Sequence, residues 1–131
     1  MKDITNKEIV DFLNTCVSMK KKSLPVRLAY AIKKNVAAVQ EAASAYTAER
    51  EELIRRYAKK DENGEIMTED DCYIMEDKER FGKDMSELLN IETEVEIHTV
   101  SISVVEKCDE DPKYDSLTMA ELDVIDFMLT E

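Results

Sequence analysis

Apolar residues recur along the first fifth of the chain at helical spacing: Ile9, Phe12, Leu13, Cys16 and Val17 fall on one face of a 3.6-residue period. Just ahead of them, Thr5-Asn6-Lys7-Glu8 reads as a capping box. The Thr5 hydroxyl can accept from the Glu8 amide while the Glu8 carboxylate reaches back. The pattern predicts a helix over 6–20, with Lys20-Lys21-Lys22 at the end where the macrodipole favours cations.

Leu24-Pro25 opens a second helix, because proline in a first turn gives up no needed hydrogen bond. No Gly or Pro follows until Gly64, and the stretch is rich in Ala, Glu, Lys and Arg. A helix over 25–60 would be about 54 Å long and needs a partner. Its seam repeats every seven residues at Ile32, Val39, Tyr46 and Leu53, with a companion row at Val36, Ala43, Arg50 and Tyr57. Alanines at 37, 38, 42, 43, 45 and 48 permit close approach. Two readings stay open: a hairpin folded within one chain, or a homodimeric coiled coil.

Lys60-Asp61-Glu62-Asn63-Gly64-Glu65 ends that helix, with Asn63 or Gly64 suited to the left-handed conformation. It is a poor calcium loop, since the register that places Gly64 sixth puts Lys59 first. Cys72 to Met75 reads as a short strand, and Phe81, Met85, Leu88 and Leu89 predict a third helix over 77–90. Residues 91–105 give the strongest strand signal. Val95 and Ile97 share one parity, while Val100, Ile102 and Val104 take the other, so a bulge or break is expected near His98-Thr99. An acidic loop is expected over 107–115, then a last helix from the capping box Thr118-Met119-Ala120-Glu121, with Leu122, Ile125, Met128 and Leu129 as its core face.

Composition narrows the fold. The chain has 131 residues, and two Gly with two Pro are too few for the turns of a sandwich or barrel. Charge is split. Residues 1–60 carry 13 Lys/Arg against 7 Asp/Glu, and residues 61–131 carry 5 against 23. Direct nucleic-acid binding by the whole chain is disfavoured at a net charge of −12. Cys16, Cys72 and Cys108 are odd in number and widely spaced, so neither a disulfide framework nor zinc is expected. No apolar run has the length of a signal peptide or a membrane span, and the expectation is a cytoplasmic protein.

Candidate chemistry is sparse. His98 is the only histidine, and Cys108 sits beside Asp109-Glu110-Asp111, which opposes an activated thiolate. No Gly-rich phosphate loop, Gly-x-Ser-x-Gly or His-Glu-x-x-His occurs. No catalytic residue, cofactor or metal ligand is assigned. The candidate residues are those of an interaction surface: the stripe Ile32, Val36, Val39, Tyr46 and Leu53, and the acidic residues Asp70, Asp71, Asp109, Glu110 and Asp111.

Thr5-Asn6-Lys7-Glu8-Ile9, Leu24 to Tyr30 with Lys33-Lys34-Asn35, Glu49-Arg50 with Leu53-Ile54, Tyr57, Lys60 to Gly64, Leu88-Leu89-Asn90 and Leu122 to Met128 follow one another in an order that resembles a family of small tailed-phage and prophage proteins of Firmicutes-type hosts, with no assigned function. The likeness spans nearly the whole chain, with 67–77 and 108–115 fitting less well. It implies a phage origin and expression in a bacterial cytoplasm, and supplies no catalytic residue.

The expected architecture is one α+β, predominantly helical domain over 1–131. A long antiparallel helical hairpin (6–60) is joined to an acidic α/β portion (61–131) with a small antiparallel β element and two shorter helices. The expected function is that of a non-enzymatic, phage-encoded protein that occupies a host factor, as a defence antagonist, by acidic-surface mimicry or by nucleotide sequestration. The alternative is a phage assembly accessory that oligomerises through the long helix. The partner in either case is a protein, a host factor or another phage protein, with a homo-oligomer open and no membrane involved.

Overall fold

The computed structural model describes residues 2–70 and 72–131, so the acidic candidate Asp71 lies outside the described residues. In chain order the elements are β1 (Lys2–Thr5), α1 (Asn6–Met19), α2 (Val26–Tyr57), β2 (Thr68–Glu69), β3 (Cys72–Tyr73), α3 (Lys78–Leu89), β4 (Glu92–Val95), β5 (Val100–Ser101), α4 (Ile102–Glu110), α5 (Met119–Ile125), a 3₁₀ turn (Asp126–Met128) and β6 (Leu129–Thr130). The fold is α+β and predominantly helical.

Both capping boxes form. The Thr5 hydroxyl accepts from the Glu8 amide at 3.1 Å, and the Thr5 amide donates to Glu8 Oε1 at 3.2 Å. Thr118 and Glu121 repeat the exchange at the start of α5. α1 then buries Ile9, Phe12, Cys16 and Met19 against α2, which answers with Leu28, Ala31, Ile32 and Val39. Val104, Val105 and Cys108 of α4, together with Ile125 and Met128, close the same core. Phe12 meets Phe127 edge to face, ring centres 5.2 Å apart, a geometry that adds about 0.5–1.5 kcal/mol to the apolar burial.

At 32 residues, α2 is about 48 Å long and outruns α1. Its distal half is covered by α3: Leu53, Ile54, Ala58 and Leu88 are buried there. Tyr57 donates to Asp84 Oδ2 at 2.6 Å and packs edge to face on Phe81. The hydrogen bond to the carboxylate, with burial, raises the Tyr57 phenol above its ordinary value. Ile32, Val39 and Leu53 of the heptad seam are therefore buried within the chain, the proximal part by α1 and the central core and the distal part beside α3, while Tyr46 is half-buried and Arg50 exposed.

β1 and β4 pair antiparallel, with Lys2 opposite Val95 and Thr5 opposite Glu92. β2 and β3 form a two-residue antiparallel hairpin, and β5 and β6 pair in parallel. The strand expected over 91–105 does break near His98-Thr99, but its second half ends at Ser101. Residues 102–110, expected to finish a strand and begin an acidic loop, are helical. Ser101 caps this helix by accepting from the Ser103 amide. Val104, Val105 and Cys108 are its buried face, while Ile102 is exposed. The alternation of Val100, Ile102 and Val104 mimicked a strand, whereas the spacing that governs is 104, 105, 108, one helix face. Three short helices, α3, α4 and α5, thus follow the hairpin among the described residues, where two were expected.

Candidate interaction cleft

α2 presents Lys34, Ala37, Ala38, Glu41, Ala42 and Ala45 on one face, at spacings that repeat the helical turn. The alanine side chains are short, so the face stands back from its neighbour and leaves a cleft of about 820 Å³. The facing wall is Thr93 to His98, six consecutive residues. Side chains of an extended segment alternate between two faces, so a continuous run of six on one cleft, three from the end of β4 and three beyond it, means that the segment meets it edge-on. A second recess of about 540 Å³ continues past Ala42, Ala45 and Thr93 to Tyr46, Leu53, Arg56, Asp84, Glu87 and Ile91. The two make one groove along α2, walled by Glu41, Glu49, Asp84, Glu87, Glu94 and Glu96 against Lys34 and Arg56.

Asn35 fixes one end of this groove. Its side chain is fully buried, yet both polar atoms are satisfied. Oδ1 accepts from the His98 amide at 2.7 Å, and Nδ2 donates to the His98 carbonyl at 2.9 Å. The amide thus treats His98 as a neighbouring strand would. The exposed His98 ring sits edge to face with the half-exposed Tyr30 at 5.6 Å, and the Lys34 ammonium lies 5.8 Å from the Tyr30 ring centre.

The residues singled out in the sequence fall in several places. Ile32, Val39 and Leu53 are buried by the chain itself. Val36 is half-buried against the core, and half-buried Tyr46 lines the second recess. Asp70 is exposed between β2 and β3, with a positive φ of 52°. Asp109 and Glu110 are exposed on the last turn of α4, and Asp111 caps its end. The hairpin carrying Asp70 is tied to the C-terminal end of α2, where Lys59 donates to the Ile74 carbonyl and Met67 to that of Lys59. The segment after α4 is tied near the other end, where the Asp115 amide donates to the Ser23 carbonyl. The acidic groups therefore do not form one array.

Reasoning from sequence missed Asn35, His98 and the edge-on strand as a unit. A signal was present: Asn35 is a polar residue at a core spacing between Ile32 and Val39. The acidic row Glu92, Glu94 and Glu96, alternating with Thr93, Val95 and Ile97, was equally readable.

The charge split is largely left open. Among the described residues, Lys22–Glu121 at 2.6 Å is the one ion pair that joins the basic and acidic halves. Burial by itself would raise the Glu121 carboxyl, but hydrogen bonds from Lys22, the Thr118 amide and Ser18 outweigh it and hold the group below its ordinary value. Beside this pair, Cys16, Met19, Leu24, Ile32 and Val36 line an apolar pocket of about 430 Å³ rimmed by Lys20, Lys22 and Lys33. Burial pushes the Cys16 thiol up to about 11, against a small opposing effect of Lys20. Cys108 is likewise raised, by burial first and by Asp109 second. Among the described residues no helix is long and apolar enough to cross a membrane.

Comparison with family models, with curated proteins and with solved structures returned no match.

Proposed function

We propose that this chain is a non-enzymatic binding protein that acts by occupying a partner protein, which it holds in the groove along α2. The observation that carries this reading is the groove itself. It is formed by an alanine face and an edge-on strand, has carboxylates on both walls, and runs beside a helix whose seam residues Ile32, Val39 and Leu53 are buried by the chain itself. Carboxylates around such a groove steer a cationic partner and set its register, while the small apolar floor accepts close contact. The resemblance to tailed-phage proteins makes the partner a host factor, such as a defence or nucleic-acid enzyme, met in the bacterial cytoplasm. The lysine-rimmed pocket supports the nucleotide version less well, because Lys22 is already committed to Glu121.

Ala38 and Ala45 are exposed on the floor of the groove, so arginine at these positions fills it without entering the core. The test is tagged capture from phage-infected cells with wild type and with Ala38→Arg/Ala45→Arg, at low and high salt. A host protein recovered by wild type, reduced at high salt and lost with the double variant, is the expected result. Recovery of the same protein by the double variant would contradict the groove. Recovery of virion proteins at both salts would replace host occupation with the assembly role.

A further inference from the structure

The backbone of β4 has an open side, set by its register with β1. In an antiparallel pair, opposed residues alternate between those that exchange hydrogen bonds and those whose backbone groups point outward. The Asn6 amide donates to the Ile91 carbonyl at 3.0 Å, which continues the β1–β4 ladder by one pair and makes it a bonded one. Bonded pairs then recur at Ile4–Thr93 and Lys2–Val95, while Thr5–Glu92 and Asp3–Glu94 face outward. Thr5 agrees, because its amide turns away to Glu8 Oε1. At the far end of the segment the His98 amide and carbonyl, of the same parity as Glu92 and Glu94, are taken by Asn35 of α2. Burial keeps the alternation through Ile97: Glu92, Glu94 and Glu96 are exposed, and Thr93, Val95 and Ile97 are covered.

The backbone groups of Glu92, Glu94 and Glu96 thus point away from β1, with Glu94 and Glu96 lining the groove, and at His98, of the same parity, the outward groups are already taken by a side chain imitating a strand. Edge glutamates also discourage pairing with a second copy, since two β4 edges would set Glu against Glu. The same three carboxylates favour a strand carrying Lys or Arg directly opposite them.

Building on the partner-binding function proposed above, we infer that β4 takes up one extended segment of a cationic partner as an added antiparallel strand, in which Lys or Arg alternate with apolar residues. The basic residues lie opposite Glu92, Glu94 and Glu96 in bonded pairs, and the apolar residues turn to the side of Thr93, Val95 and Ile97.

The test uses the peptide acetyl-Lys-Val-Lys-Val-Lys-Val-Lys-amide and two versions of it, N-methylated at the lysines or at the valines. All three carry the same charge. In the proposed register the lysine amides bond to β4 and the valine amides face outward. Binding is followed by NMR titration of the protein's backbone amides. The expected result is shifts centred on 92–98, slowed exchange of the Glu94 and Glu96 amides, and binding weakened about tenfold or more by lysine methylation alone, the size of losing a few net hydrogen bonds. Equal affinity of the two methylated peptides, or shifts centred elsewhere, would overturn the added strand.

Glu94→Pro removes one outward amide and spares the bonds to β1, so it folds and loses the peptide. Glu94→Gln keeps the amide and weakens binding less. If Glu94→Pro folds and binds as wild type does, the inference is wrong. Cellular capture separates this inference from the function it rests on. A partner lost with Ala38→Arg/Ala45→Arg but kept by Glu94→Pro leaves the groove standing and removes the strand. A partner kept by both removes the groove as well.

Discussion

Asn35 shows how one side chain can hold an irregular segment in strand-like order. A buried amide is costly unless its donor and acceptor are met, and here both are met by a single residue's backbone, that of His98. Asn35→Ala leaves those two backbone groups without a partner, and each such loss costs about 1–3 kcal/mol. The expected result is a destabilisation of about 2–4 kcal/mol in denaturant titration, with faster exchange of the His98 amide. Glu121 is the second residue whose polar partners decide its role. Its native carboxyl sits below the ordinary value, so folding favours the ionised form. Its contribution is present above the ordinary glutamate range and is lost as pH falls through the depressed native value. Glu121→Gln should therefore flatten the fall in stability on acidification below about pH 5. Denaturant midpoints at a series of pH values check this, and an unchanged acid limb would contradict it.

At the scale of elements, the long helix was legible because its signals agree: proline at the start, no glycine inside, and an apolar row every seven residues. The same row left open whether the covering surface came from this chain or another. That answer needs the distant segments that supply it, Leu88 of α3 and Val104 and Ile125 of the C-terminal part. α4 stands where a strand is expected because a nine-residue helix with three branched residues near its start offers two periods at once, and only its burial separates them. The β1–β4 pair was invisible in the first five residues, too short a run to carry a period. The burial assignment has a direct consequence. Ile32→Asp with Val39→Asp places two unpaired carboxylates in the core, each costing several kcal/mol. The double variant is expected to lose its cooperative unfolding transition in circular dichroism. A folded variant would contradict the assignment of the seam to the core.

For the whole molecule, charge and shape act together. Among the described residues, the basic and acidic halves are joined by one partly buried ion pair rather than by a neutralising network. Asp70 and the Asp109-Glu110-Asp111 group are tied toward opposite ends of a helix about 48 Å long. The carboxylates that converge are instead those around the groove, where an open backbone edge lies among them. This is why the candidate site was only partly legible: the sequence shows which residues are acidic, while the groove comes from pairing β4 with β1, where Thr5 meets Glu92 and Lys2 meets Val95 from far apart in the chain. Strand addition needs that edge to be open, and residue-resolved amide hydrogen exchange of the free protein measures it. Slow exchange at Thr93, Val95 and His98 with fast exchange at Glu92, Glu94 and Glu96 is the predicted alternation. Protection of Glu94 equal to that of Thr93 would mean that the edge is already filled, and would contradict the open edge and the strand addition.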